Sequence, residues 1–82
     1  MSEDIISNEQ KLALAIKFFR KSRGLSQEAL ANKAGLDRKT INRIEQGHYA
    51  PTMTNFFQIS EALEVEPQEL LTVNVSGLGY AP

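Results

Sequence analysis

Gly35 and Gly47 constrain this chain more than any other pair of residues in it. Each stands where a short run of helical spacing ends, and glycine enters the left-handed conformation that stops a helix with little strain. Ser26 can cap the run ending at Gly35, and Asp37 the run ending at Gly47, by accepting amide protons that a first turn leaves unbonded. The stretch SQEALANKAGLDRKTINRIEQG therefore reads as two short helices about a tight glycine turn. Leu30 and Ala31 point inward from the first, and Ile41 and Ile44 from the second, with Ala31 small where the helices must cross. Two such helices cannot bury their apolar faces alone. The rest of the chain must supply the cover.

That cover also reads as helical. Ser7-Asn8-Glu9-Gln10 forms a capping box for a helix in which Leu12, Ile16 and Phe19 share one face, with Gly24 as its stop. Pro51 keeps His48-Tyr49-Ala50 as a loop. Thr52 caps a fourth helix with Met53, Phe56, Ile59 and Leu63 inward. Glu66-Pro67 starts a one-turn fifth helix whose Leu70 and Leu71 close the core. The expectation is an all-α, five-helix domain over residues 8–71, with an N-terminal arm (1–7) and a C-terminal tail (72–82) that is either frayed or a short edge strand. With 82 residues and no cysteine, the core is small and has no disulfide or thiolate metal site to staple it. No segment nears the ~20 apolar residues of a membrane span. The acidic start Met-Ser-Glu-Asp-Ile-Ile has no secretory pattern, so the cytoplasm is the expected compartment.

The formal charge of −1 hides a strong asymmetry. All nine Lys and Arg lie between Lys11 and Arg43, where only Glu28 and Asp37 oppose them, a net of +7. The eight carboxylates outside that stretch sum to −8. Such segregation suits a one-sided binding surface, and it also suits ordinary solvated helix faces. The third helix decides between them. Winding at about 100° per residue sets Arg38, Lys39, Asn42, Arg43 and Gln46 on its outer side and Thr40, Ile41 and Ile44 on the other. Arg, Lys, Asn and Gln are the side chains that match guanine and adenine edges in a major groove. A solvated face would mix in glutamate for balance.

These residues resemble the helix-turn-helix DNA-binding family of phage repressors and Cro, the XRE family. The resemblance runs from about Leu12 to Leu71: IKFFRKSRGLSQEALANKAGLDRKTINRIEQGHYAP, a helix ending in Ala62-Leu63-Glu64-Val65, then Pro67-Gln68-Glu69-Leu70-Leu71. It implies a lambda-repressor-like fold with the third helix in the major groove, and homodimers on palindromic double-stranded operators. Small restriction-modification controllers and antitoxins share the pattern. The setting it implies is bacterial or phage-derived and nucleoid-associated.

Position by position, Arg38, Lys39, Asn42 and Arg43 match the family's base-reading positions. Gln27, at the start of the second helix, matches a phosphate contact, and Gln46, His48 and Tyr49 sit where the far strand's backbone is touched. Lys21, on the first helix, reaches phosphates only. Arg20 and Glu45 match a pair that family members bury as a salt bridge, and Glu45 at the border of an apolar face needs a cation beside it. Three departures stand out. Ala29 replaces a common acidic residue. Glu64 replaces the glycine that ends the fourth helix, at a cost of ~1 kcal/mol if the left-handed turn is kept and a different turn if it is not. Leu14 and Phe18 stand where polar groups are commoner, either as extra core under Ile5 and Ile6 or as a contact surface for another chain.

Catalysis has no foothold. His48 is the only histidine, no carboxylate pair accompanies it, and neither a phosphate-cradling glycine loop nor a metal-ligand grouping is present. The chain is read as no enzyme, with no cofactor and no metal. Two functions remain open: a transcriptional regulator, or a module whose main partner is a protein, as in antitoxins, bound through the Leu14/Phe18 surface or the tail from Thr72 to Pro82, with autoregulatory DNA binding. The expected dimer surface is the apolar end of Phe57, Leu70, Leu71 and Val73, with Leu14 and Phe18 as the second candidate.

Overall fold

Five helices form where the local signals place them in the computed structural model, which describes residues 7–72. They are α1 (Asn8–Ser22), α2 (Gln27–Ala34), α3 (Arg38–Glu45), α4 (Met53–Leu63) and α5 (Pro67–Thr72), with no strand among the described residues. Ser7 and Gln10 complete the reciprocal capping box of α1. Ser26, Asp37 and Thr52 each accept the amide proton three residues on. Gly35, at φ 75°, stops α2, and Gly47, at φ 82°, turns the chain after α3.

Ile16, Leu30, Ile41, Ile44, Ile59, Leu63 and Leu70 are sealed from solvent in one core to which every helix contributes. Helix α2 packs against α3 and α4, while α1 packs against α3 and α5. Ala31 is buried on α2, so a methyl group is all that occupies that position of the packed helix. This arrangement fixes α3 by its Ile41–Ile44 side and leaves its other side outward.

Two expectations are corrected. Met53 is 65% exposed rather than inward. It is the first residue of α4, and side chains on a helix tilt toward its N-terminus, so a first-turn residue leans off the end. Leu71 is 66% exposed, and only Leu70 enters the core. Consecutive helical residues point about 100° apart, and α5 turns only its Leu70 side to the core. Leu70 is consequently unavailable to a dimer surface. The N-terminal arm with Ile5 and Ile6, Val73 and the remainder of the tail lie outside the described residues.

The left-handed turn after α4 is kept despite its non-glycine residue: Glu64 sits at φ 62°, ψ 42°. Arg23 crosses from the end of α1 to support it, its Nε donating to the Leu63 carbonyl at 2.8 Å and Nη2 to the Glu64 carbonyl at 3.4 Å. A cation on the exposed carbonyls of a helix end opposes the negative end of its dipole. Glu64→Gly should relieve the backbone strain, offset in part by glycine's greater chain entropy, for a net gain of about 0.5–1 kcal/mol. Thermal unfolding checks this, with a rise of a few degrees expected.

Candidate nucleic-acid interface

Helix α3 begins sharply because the Asp37 carboxylate accepts from both the Thr40 amide and the Thr40 hydroxyl, each at 2.9 Å. Those bonds, the backbone one first, hold the Asp37 carboxyl below the ordinary carboxylate range, with Lys39 and Arg43 adding to the effect. The cap's contribution is therefore complete above the ordinary carboxylate range and is lost as pH falls through the depressed native value. Arg38 and Lys39 are thereby placed in the first turn, both exposed. Arg43 and Gln46 are also exposed, whereas Asn42 is half-buried. Ile41, Ile44 and Glu45 are buried on the opposite side. The outer face thus carries three cations and no carboxylate.

Beneath one edge of that face lies an ion pair. Arg20 is 8% and Glu45 7% exposed. Arg20 Nε donates to Glu45 Oε2 at 2.6 Å and Nη2 to Oε1 at 3.0 Å, while Nη1 donates to the Leu25 carbonyl at 2.8 Å. One guanidinium so joins α1, α3 and the loop before α2. Gln27 Nε2 supplies a third donor to the carboxylate, at 3.0 Å from Oε1. A buried charge needs its lone pairs satisfied, and here both partners have several contacts.

The hydrogen bonds continue outward from Gln27. Asn42 Nδ2 donates to Gln27 Oε1 at 3.2 Å, and Gln46 Nε2 donates to Asn42 Oδ1 at 2.9 Å. Gln27, expected to face a phosphate, therefore has its carbonyl and one amide proton engaged within the protein. Asn42, expected among the base readers, has both ends of its amide engaged. The two bonds from Gln27 leave no pattern in the sequence, because they join side chains 15 and 18 residues apart that only the packing of α2 on α3 brings together.

Past α3, Tyr49 is half-buried and packs against the core, and the Arg43 guanidinium lies over its ring at 4.9 Å. A cation over an aromatic face is held by the ring's quadrupole. His48 is exposed beside it, and Lys21 is exposed in the last turn of α1. Gly47 comes so close to α1 that a Cβ there would stand 3.1 Å from Gln10 Cγ. The backbone after α3 is thus held against α1.

Elsewhere on the surface, Phe57 is 48% exposed beside a groove that Val65 and Pro67 also line. Phe18, at 40% exposure, lies on α1 with Leu14 half-buried. Among the described residues, no helix is long and apolar enough to cross a membrane.

The helix-turn-helix family profile matches residues 16–70. The chain is 37% identical over 65 residues to the antitoxin HipB of Escherichia coli K12, covering 79% of this chain and 74% of that one. The structure of the restriction-modification controller C.AhdI from Aeromonas hydrophila is similar, with a TM-score of 0.73 and 35% identity over 76% of this chain and 94% of that chain. The DNA-binding domain of the P22 C2 repressor is similar as well, with a TM-score of 0.74 and 27% identity over 79% of this chain and 92% of that chain.

Proposed function

The chain belongs to the helix-turn-helix family, and we propose that it is a sequence-specific regulator of transcription that lays α3 in the major groove of double-stranded DNA. The observation that carries this is the outer face of α3, where Arg38, Lys39 and Arg43 are exposed together with no carboxylate among them. Arg38, Lys39 and Arg43 have the donors to reach guanine edges. Lys21, Gln27, Gln46, His48 and Tyr49 flank the face and contact phosphates, which position the protein without reading sequence. Its place of action is the cytoplasm, on nucleoid DNA.

One eight-residue recognition helix spans few base pairs, so binding is by a homodimer on a palindrome with half-site centres ~34 Å apart. The exposed Phe57 and Leu71 on the α4–α5 side supply the dimer surface, in place of the buried Leu70. Selection from randomised duplex DNA tests the whole reading, with a two-fold symmetric consensus expected. Sedimentation should give two chains per operator. One chain per site, with an asymmetric footprint, would refute the dimer.

Tyr49 allows its two roles to be separated. Tyr49→Phe keeps the stack under Arg43 and removes the hydroxyl, so any loss of affinity reports a phosphate contact. Tyr49→Ala removes the stack too, and a further loss of about 0.5–1 kcal/mol in operator binding is expected from it.

A second reading rests on the similarity to the antitoxin HipB. In it, the chain binds a protein partner through Phe18 and Leu14 on α1, and its DNA binding is autoregulatory. A toxin gene beside this one, and capture of its product by the wild type with loss in Phe18→Ser, would favour that reading. Unchanged capture by Phe18→Ser would exclude the surface.

A further inference from the structure

Asn42 connects two residues that have no direct hydrogen bond to one another. Gln27 opens α2 and Gln46 caps the end of α3. Asn42 donates to the first and accepts from the second. The chain of bonds ends on the Glu45 carboxylate, which when ionised can only accept. That end determines the direction of every amide in it. Gln27 must turn its NH2 to Glu45 and its carbonyl to Asn42. Asn42 must then turn its NH2 to Gln27 and its carbonyl to Gln46. Reversing any one amide would set oxygen against oxygen. Arg20 anchors the far end with two bonds to Glu45.

We propose that Asn42 is a positioning residue rather than a base reader, holding Gln27 and Gln46 as a paired set of amide donors toward the DNA backbone. The proposal rests on the DNA-binding reading above and divides the α3 face in two. The cations Arg38, Lys39 and Arg43 read bases, and the ridge of amides beside them sets how α2 and α3 sit on the phosphates. Gln27 Nε2 and Gln46 Nε2 each carry two protons, and the relay uses one of each. The second proton suits a phosphate oxygen. Side chains already ordered in the free protein lose less conformational freedom on binding. Asn42 itself is short, half-buried and engaged at both ends. Reaching a base edge in its turn would require it to leave Gln27.

The test uses the full chain and an operator selected from randomised duplex, together with every single-base variant of that operator. Asn42→Ala is expected to weaken binding to all variants by one common factor, about 5- to 100-fold for two glutamine side chains that must then be ordered on binding, with their rank order unchanged. Asn42→Ser, which cannot span both glutamines, should behave alike. Gln27→Ala and Gln46→Ala should be coupled, the double variant losing less than the product of the singles. That coupling should vanish once Asn42 is alanine. A loss confined to one base pair per half-site in Asn42→Ala would overturn the proposal, as would losses at Gln27 and Gln46 that simply multiply with Asn42 intact. If the wild type selects no sequence at all, the DNA-binding reading fails first and takes this proposal with it. That outcome is visible before any variant is made.

Discussion

Glu45→Ala is expected to destabilise the domain by about 3–5 kcal/mol, the usual effect of stripping one partner from a buried ion pair. The Arg20 guanidinium would keep its bond to the Leu25 carbonyl and lose both bonds to the carboxylate. Gln27 would lose its acceptor at the same time. Domains of this kind are stable by only ~5–15 kcal/mol, so the melting temperature should fall steeply. Lys17 and Lys21 are exposed on the same helix as Arg20, and alanine at either should change stability by no more than about 0.5 kcal/mol. A double replacement, Arg20→Met with Glu45→Leu, removes the orphaned charge and should recover much of the loss, since apolar pairs of similar volume often replace buried ion pairs without penalty. Thermal denaturation of the four variants checks this. Equal melting temperatures for Glu45→Ala and Lys17→Ala would mean that the pair contributes nothing to stability.

Arg38→Ala should lose about 1–3 kcal/mol of discrimination at one base pair per half-site, the value of a bidentate contact to guanine. Arg38 is exposed in the first turn of α3, where the Asp37 cap fixes the start of the helix. Lys21→Ala should behave differently. A lysine that meets only phosphate strengthens binding to every sequence alike, so its loss lowers affinity uniformly and reduces the salt dependence by about one counterion. Affinities of both variants for all single-base operator variants, at two or more salt concentrations, distinguish the effects. A uniform loss in Arg38→Ala would place that residue on the backbone instead.

What could be read from the sequence was mostly local. Ser7, Ser26, Asp37 and Thr52 cap their helices through amides three residues away, so cap and helix start share one short segment. Gly35 and Gly47 mark stops for the same reason. The outward side of α3 was legible from helical winding alone, because its apolar residues recur at the right spacing. Met53 and Leu71 were misread where that spacing runs off the end of a helix, since periodicity does not say where the neighbouring helices stop. Glu64 was visible as a departure. The support it receives from Arg23 was not, because a guanidinium bonding a carbonyl 40 residues away leaves no pattern in either segment. Nor could composition separate Asn42 from the cations beside it. Its half-buried position depends on how closely the start of α2 approaches α3, and asparagine suits a base edge and a glutamine amide equally well.

The central claim is that this α3 face reads sequence rather than merely binding polyanions. Competition between the selected operator and unrelated duplex of equal length, at physiological salt, tests it most directly. Specific regulators prefer their sites by a factor of ~10³ or more, and the same preference is expected here. Equal affinity for both duplexes, falling together as salt rises, would contradict it.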